Sequence, residues 1–397
     1  MDVGDTRGRR PALAILAALT LVTAACGFAD PGAGAPPPLP SAEPAALASE
    51  QPAPVTTAVA SPAPTAEPQP YSRIRVFVAA EGPYSGGTGE LYVLESSGRS
   101  EFSVVARLPM GGWPHNIAVS PDGKWVAVAD RSSDQVGIVD PVTLKEVARV
   151  KVGKQPHGLL WQPDSSVLYV GAERENFITR LEAGTWKTLP PLQVGVKQHT
   201  FAMDPARPNE LWFTVTMDNV PDHLRVYDLT TGKITQIRTT DVHDAYFTPD
   251  MSEVWSSSSG FLDKPSDRMV IYDPIEKTVK GEVRFPGHYP FHTLKPLQDG
   301  LYYPKDTSIM LLSNHYSTEK GRNGASLLWV DWKARKIVDE TPVGIQPFHT
   351  TYDPVGERVL LTSNVDGVVN VIDWNTHKII QKVAVPKPHG IVSVGLP

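Results

Sequence analysis

One histidine recurs seven times along the chain, always in the same local setting. Each copy precedes a short apolar run and, in most cases, a turn that contains proline and aspartate, as in "PHNIAVSPDG". Successive copies are 42, 42, 44, 49, 57 and 40 residues apart. The repeated positions are His115, His157, His199, His243, His292, His349 and His389. A period in the forties, built of strand-like runs, is typical of β-propeller blades.

Each repeat contains four short runs rich in Val, Ile, Tyr and Trp, separated by Gly, Pro and Asp. This composition predicts four strands, named A to D, with the histidine at the start of strand A. The third run is the most regular and recurs as "QVGIVD", "LRVYD", "MVIYD", "LLWVD" and "VNVID".

The two ends of the chain complete the count of blades. Six full repeats begin at the first six histidines, which leaves three runs at the front, "RIRVFVAA", "ELYVLES" and "FSVVARLPM", and one at the end, "HGIVSVGL". Joining them in one blade hides the sheet edges that would otherwise be exposed. The sequence therefore predicts an all-β, seven-bladed β-propeller over 71–397, built of four-stranded blades, the last closed by the N- and C-terminal strands.

The first two repeats also carry a family pattern. "PHNIAVSPDGKWVAVAD" and "PHGLLWQPDSSVLYVGA" resemble the YVTN-type propeller family, whose blades follow a pattern like PxGxAxSPDGxxxYVxN. The resemblance covers about 73–397 and implies the same fold. It does not imply one activity, because propellers of this kind perform unrelated functions.

The N-terminus has the composition of an export signal. Basic residues in 1–10 are followed by "ALAILAALTLVTAA", an apolar run of 14 residues that is too short to span a membrane, and then by Cys26, the only cysteine. "VTAAC" resembles the bacterial lipoprotein signal, although Thr23 stands where leucine is usual. We predict a signal peptide at 1–25 and lipidation of Cys26. The alternative is an ordinary signal peptide that contains a cysteine.

Residues 26–70 follow as a segment dominated by proline and alanine, with almost no aromatic residues. Such a composition predicts an extended, disordered tether. We therefore expect an extracytoplasmic protein, lipid-anchored to the cell membrane or the outer membrane. The formal net charge of -6 and the absence of a basic stretch in the body argue against a nucleic-acid partner. A monomer is expected.

The repeated histidines predict a ring. Strand A is the innermost strand of a propeller blade, so all seven imidazoles should lie at one level of the central channel. The blades have diverged elsewhere: the residue after the histidine is Asn, Gly, Thr, Asp, Thr, Thr and Gly in turn. This favours a functional ring over simple inheritance by duplication. We expect it to be partly solvated and to surround an opening much wider than one ion.

Imidazole is the commonest metal ligand near neutral pH and suits copper, zinc, iron and nickel. We predict that the seven histidines bind transition metal, with copper favoured and zinc or iron as alternatives. Either a subset binds one ion or the ring holds several. The second arrangement resembles the nitrous oxide reductase family, whose propeller holds a copper cluster on seven histidines. This ring has no adjacent His-His pair and Cys26 is the only cysteine, so nitrous oxide reduction by this chain alone is not expected.

Further polar side chains are expected near the ring. Acids and amides at the ends of the B strands can orient imidazoles; they are Glu81, Asp130, Glu173, Asp218, Asn314 and Asn364. An insertion in the fifth blade is expected to cover the channel with Tyr302, Tyr303, Lys305 and His315. The remaining histidines are His288, which joins the ring or lies in its loop, and His223 and His377, which we expect to be solvated.

Two other classes of function remain open. One is a tethered binding module that holds a protein or small ligand on the top face of the propeller without metal. The other is a propeller enzyme, similar to lactonases or to the streptogramin lyases, because "NELWFTVT" at 209–216 resembles a run in the latter. Catalytic residues are not identified. Metal content separates the metal-binding hypothesis from the binding module.

Overall fold

The computed structural model describes residues 71–82, 88–215, 223–239, 242–258, 266–294, 306–317 and 321–396, with the single positions Asp218, Val220 and Pro304. The predicted signal peptide, Cys26 and the tether lie outside these residues. So do Tyr302, Tyr303 and Lys305 of the fifth-blade insertion. Within the described ranges, no helix is long and apolar enough to cross a membrane.

The described residues form seven antiparallel sheets of four strands each, together with one 3₁₀ turn at Arg322–Gly324. The first fourteen strands are β1 Arg73–Ala80, β2 Gly89–Ser97, β3 Ser103–Gly111, β4 Pro114–Val119, β5 Val126–Asp130, β6 Gln135–Asp140, β7 Lys145–Lys151, β8 Pro156–Trp161, β9 Val167–Ala172, β10 Phe177–Glu182, β11 Thr188–Gln193, β12 Phe201–Ala202, β13 Glu210–Thr214 and β14 Leu224–Asp228. The other fourteen are β15 Ile234–Ile237, β16 Val242–Phe247, β17 Val254–Ser258, β18 Arg268–Asp273, β19 Thr278–Arg284, β20 His288–Thr293, β21 Ile309–Ser317, β22 Ser326–Asp331, β23 Lys336–Pro342, β24 Pro347–Asp353, β25 Arg358–Ser363, β26 Val368–Asp373, β27 Ile379–Ala384 and β28 Pro388–Leu396.

These strands confirm the predicted propeller. Blade one is β4–β7, and blades two to six follow as β8–β11, β12–β15, β16–β19, β20–β23 and β24–β27. The seventh sheet has the order β28-β1-β2-β3, with Phe77 of β1 paired to Val392 of β28. The first strands of successive blades contact one another around the full circle. Strand A is therefore innermost, and the two chain ends close the ring as predicted.

The core lies between blades because each inner strand is apolar on both faces. Among the described residues, seven buried clusters each join two adjacent sheets. Between blades seven and one, for example, Phe77 and Val93 pack with Ile117 and Val128. The outermost strands are largely exposed, as in β7, because only one of their faces meets a neighbour. Burial of apolar surface between sheets is thus the main force that closes the circle.

A repeated turn joins strands C and D and explains one histidine outside the repeat. The last residue of strand C is an aspartate whose side chain accepts hydrogen bonds from the turn amides, as Asp373 does from Thr376 N at 2.8 Å. The residue after the last of these amides has a positive φ, which is 55° at His377. The His377 imidazole stacks on Trp329 with 3.7 Å between ring centroids. It is therefore a packed turn residue rather than the freely solvated one we expected.

Within the run "NELWFTVT", residues Glu210–Thr214 form β13, in which Trp212 and Phe213 are fully buried between blades. These two apolar side chains offer no acid, base or nucleophile.

Candidate metal centre

Each blade places one histidine side chain in the hub, within strand A or, for His199, two residues before β12, and the seven imidazoles form a closed ring. Neighbouring ring centroids are 3.6–5.4 Å apart around the whole circle, from His115 through to His389 and back to His115. All seven side chains are buried. The expectation of a wide, partly solvated ring was wrong, because the inner strands converge closely enough for adjacent imidazoles to stack.

Backbone carbonyls of the next blade fix the orientation of two of these rings. His157 Nδ1 lies 3.1 Å from His199 O, and His199 Nδ1 lies 3.3 Å from His243 O. A carbonyl only accepts, so His199 Nδ1 carries the proton and its Nε2 keeps the lone pair, whereas His157 Nδ1 also lies 3.1 Å from the amide donor Asn116 Nδ2. The close approach requires glycine after His157, since a Cβ on Gly158 would lie 2.5 Å from His199 O.

Three carboxylates enter the hub beside the histidines. Among the described residues, three groups of side chains could hold a metal ion. In each group, one ligand atom per side chain lies within 4.8 Å of the ligand atoms of the others. The groups are Glu81 with His115 and His389, Glu173 with His157 and His199, and Asp244 with His199 and His243. The carboxylates come from the ends of β1 and β9 and from the third position of β16.

The group around Glu173 has the geometry of an open ligand set. Glu173 Oε1 lies 3.4 Å from His199 Nε2 and 4.0 Å from His157 Nε2. Within the part of the chain that the structure describes, Glu173 Oε1 and His199 Nε2 are buried and make no hydrogen bond. Two ligands held at about 2.0–2.2 Å around a tetrahedral ion are roughly 3.4 Å apart. Buried polar atoms without partners are costly, so this pair fits a cation between them.

The other two carboxylates already make short hydrogen bonds. Glu81 Oε1 is 2.6 Å from His115 Nδ1, and Asp244 Oδ2 is 2.7 Å from both His292 Nδ1 and the Tyr246 hydroxyl. A carboxylate in this position accepts the ring proton and orients the imidazole. These two groups therefore resemble the supporting shell of a metal centre more than its ligands.

A buried arginine completes the hub. Arg131 follows β5 directly, and its guanidinium forms an ion pair with Glu173 Oε2. Its Nη1 lies 3.4 Å from His115 Nε2, and its Cζ lies 4.5 Å from the centre of the Trp113 ring. The sequence analysis did not identify Arg131, because it took Asp130 as the strand-end group of blade one; Arg131 N bonds Trp113 O as Glu173 N bonds Gln155 O, so Arg131 holds the position of Glu173.

Burial sets the protonation of the hub. It lowers the pKa of five ring histidines well below the usual value of 6.5; these are His115, His157, His199, His292 and His389. Burial also raises the pKa of Glu173, which the Arg131 charge opposes, and raises the pKa of Glu81 to about 7. The five imidazoles are therefore neutral at pH 7, which is the state a metal requires.

Only two of the six predicted strand-end groups reach an imidazole. Glu81 and Glu173 do so, whereas Asp130, Asp218 and Asn314 accept hydrogen bonds from backbone amides that precede the ring histidine of their blade. Asn364 donates to Glu81 Oε2 at 3.2 Å. Asp130 lies one residue before the position of the two glutamates: it pairs with Pro114 as Ala172 pairs with Pro156, so its side chain points to the other face of the strand.

The remaining histidines divide between the hub and the periphery. His315 lies in β21 with its ring centroid 5.8 Å from His292, between Phe291 and Phe348. His288 instead contacts Glu340 at 3.1 Å, and His223 Nδ1 bonds Val215 O at 2.6 Å. Blades five and six thus present aromatic side chains where blades one, two and four present charged ones. The sequence feature that marks the aromatic side of the hub in these two blades is a phenylalanine directly before His292 and His349.

No protein-family model matches the chain, and no curated protein matches its sequence. Solved structures share its fold. Hydrazine synthase of Kuenenia stuttgartiensis is 16% identical with a TM-score of 0.57, covering 68% of this chain and 86% of its own. Dihydro-heme d1 dehydrogenase NirN, solved in complex with DHE, is 18% identical with a TM-score of 0.57, covering 83% and 76%. AztD of Citrobacter koseri is 12% identical with a TM-score of 0.55, covering 82% and 98%. At these identities the likeness shows the fold alone.

Proposed function

We propose that the propeller binds one divalent transition-metal ion at its hub, with His157, Glu173 and His199 as the protein ligands. The observation that carries this proposal is the pair of buried atoms, Glu173 Oε1 and His199 Nε2, that face each other at 3.4 Å without a hydrogen bond. The Nδ1 hydrogen bond of His199 to His243 O leaves its Nε2 for the metal, and His157 Nε2 lies 4.0 Å from the same Glu173 oxygen. The other five imidazoles form the shell that holds these ligands in place.

The ligand set favours zinc over copper within this proposal. Two imidazoles and one carboxylate form a common protein ligand set for Zn²⁺, which leaves a fourth position open. A separation of 3.4 Å suits tetrahedral ligands, whereas Cu²⁺ prefers square-planar arrangements with shorter separations. The histidine count alone favoured copper. Independently of geometry, Cu²⁺ binds such sites more tightly than Zn²⁺ when both ions compete for them. Redox activity is expected only for a copper- or iron-loaded hub.

The N-terminal pattern gives this function a location. We propose that Cys26 is lipidated and that 26–70 tethers a monomeric, YVTN-type propeller outside the cytoplasm, at the cell membrane or the outer membrane. A metal centre in a tethered domain of this kind suits binding or delivery of metal in the extracytoplasmic space. The top face of the propeller is the surface on which a partner or small ligand would meet the hub.

Metal loading of the full-length protein in detergent tests this proposal. After incubation with Zn²⁺ or Cu²⁺ and removal of excess, we expect about one ion per chain by elemental analysis. His199→Ala should abolish this stoichiometry. His349→Ala is the matched control, since His349 is equally buried in the ring but belongs to none of the three ligand groups.

The outcomes separate the competing hypotheses. Equal metal loss in both folded variants would favour a multinuclear site on the whole ring. Absence of bound metal in the wild type, with either ion, would contradict the metal proposal and leave the tethered binding module as the better hypothesis.

A further inference from the structure

Arg131 is a buried, positively charged residue beside the proposed metal site. Its side chain is buried, as is that of Glu173, with which it forms an ion pair. The second terminal nitrogen of the guanidinium faces His115 Nε2 at 3.4 Å. The guanidinium therefore lies between a carboxylate and an imidazole that come from the two neighbouring ligand groups.

The physical role of this cation follows from the burial of Glu173. An ionised carboxylate in a fully buried position requires a compensating positive charge. Arg131 supplies that charge when no metal is bound. A divalent ion between Glu173 and His199 would share the same carboxylate and lie within a few ångströms of the guanidinium. Charges of like sign repel strongly in such a poorly screened site.

We propose that Arg131 is an internal competitor of the metal: its guanidinium neutralises Glu173 in the metal-free protein and must shift away from that carboxylate when an ion binds. This inference rests on the proposed metal site. It explains how one hub with seven imidazoles holds a single ion, because the guanidinium also covers His115 Nε2 in the adjacent group. It further means that bound metal is released more readily than from an arginine-free site with the same ligands.

Arg131→Gln in the full-length protein tests the proposal with two independent measurements. Without metal, the variant should melt about 5 °C or more below the wild type, because Glu173 loses its counter-charge. With Zn²⁺, the affinity measured by chelator competition should rise about tenfold or more, because repulsion is removed. Saturating Zn²⁺ should therefore raise the melting temperature of the variant more than that of the wild type.

Arg358→Gln is the matched control. Arg358 is also buried and paired, with its Nη2 2.6 Å from Asp353 Oδ2, but Asp353 ends β24 at the opposite end of the strand from His349. Its loss should lower the melting temperature of the metal-free protein and leave the Zn²⁺ affinity unchanged.

Each outcome bears on one hypothesis. If the wild type binds Zn²⁺ and Arg131→Gln binds it with the same or lower affinity, the competitor role is wrong and the metal site stands. If the wild type binds no Zn²⁺ or Cu²⁺, the proposed function fails, while a lower melting temperature of Arg131→Gln still establishes the counter-charge. Should Arg131→Gln not fold, Arg131→Met replaces it, since methionine is a long apolar side chain without the charge; an unchanged Zn²⁺ affinity in that variant would overturn the proposal.

Discussion

At the scale of the residue, the register position after strand B separates a hub group from a backbone support. Glu81, Arg131 and Glu173 directly follow their B strands and reach the imidazoles, whereas Asp130 ends β5 one residue earlier and bonds the amide of Trp113. Successive side chains along a strand point to opposite faces, which accounts for the difference. The hub thus combines a repeated scaffold of histidines with carboxylates that differ from blade to blade.

Shortening Glu173 should therefore weaken the metal site without unfolding the blade. We expect Glu173→Asp to lower the Zn²⁺ affinity about 10–100-fold, because its carboxylate is withdrawn from His199 Nε2. The same change at Glu81, which bonds His115 outside the proposed ligand set, should alter the affinity much less. Chelator competition on both variants provides the measurement. Equal affinities for the two would contradict the assignment of Glu173.

The pKa values of the hub also predict how metal-free stability depends on pH. A histidine whose folded pKa lies below its unfolded value near 6.5 binds fewer protons when folded, so its stabilising contribution is full above pH 6.5 and is lost as the pH falls. Burial shifts the pKa of five ring histidines in this direction. Glu81 and Glu173 have the opposite shift. The pKa of about 7 at Glu81 exceeds the usual value of 4.5, so its contribution is full below pH 4.5 and is lost as the pH rises through 7.

Because the five histidines outnumber the two glutamates, the stability of the metal-free protein should rise with pH up to about 6.5. Urea midpoints measured between pH 5 and 8 test this expectation. Glu81→Gln should make the rise steeper, since one opposing group is removed. A midpoint that does not change between pH 5 and 6.5 would show that the ring is not held neutral by burial.

At the scale of the element, strand A has two tasks that the other strands do not share. It carries the ring histidine or begins just after it, and it contacts the A strands of both neighbouring blades. In blade seven this strand is β28, which follows blade six in the chain and pairs with β1, the first described strand. The closure of the circle and the completeness of the ring therefore depend on the same nine residues of β28.

Deleting 389–397 should abolish cooperative folding. The truncation removes nearly all of β28 and exposes the inner edge of β1, together with apolar side chains such as Val76 and Phe77 that β28 covers. Calorimetry and far-UV circular dichroism measure the loss. Deleting 27–70, which lies outside the propeller, is the control and should leave the transition intact. A truncated chain that melts like the parent would refute closure through β28.

At the scale of the whole molecule, the propeller is one closed ring of blades whose centre holds the charged groups. Seven apolar clusters between the described sheets surround a hub that contains Glu173, Asp244 and Arg131. Such a closed frame can hold buried charges in fixed positions, because the strand that carries each imidazole is packed against both neighbouring blades.

The predicted anchor is also a property of the whole molecule. Cys26→Ala should shift the protein from the membrane fraction to the soluble exported fraction, because a lipid anchor supplies most of the membrane affinity of such a protein. Fractionation of an export-competent host, followed by immunoblotting, makes the comparison. A Thr23→Ala variant, which keeps Cys26, should stay in the membrane. Retention of Cys26→Ala in the membrane fraction would count against lipidation.

The sequence by itself determined the seven blades, their four strands, the closure by both chain ends and the positions of the ring histidines. These features follow from a local repeat, and each copy reports the same strand register. Only the tertiary structure decided how tightly the ring closes and which groups reach its centre. Arg131 and Glu173 share one repeat position, directly after strand B, while Asp244 comes from strand A of blade four, and nothing in that position says which imidazole each group meets. Their meeting depends on the convergence of strands at the hub, which is set by packing across the whole circle.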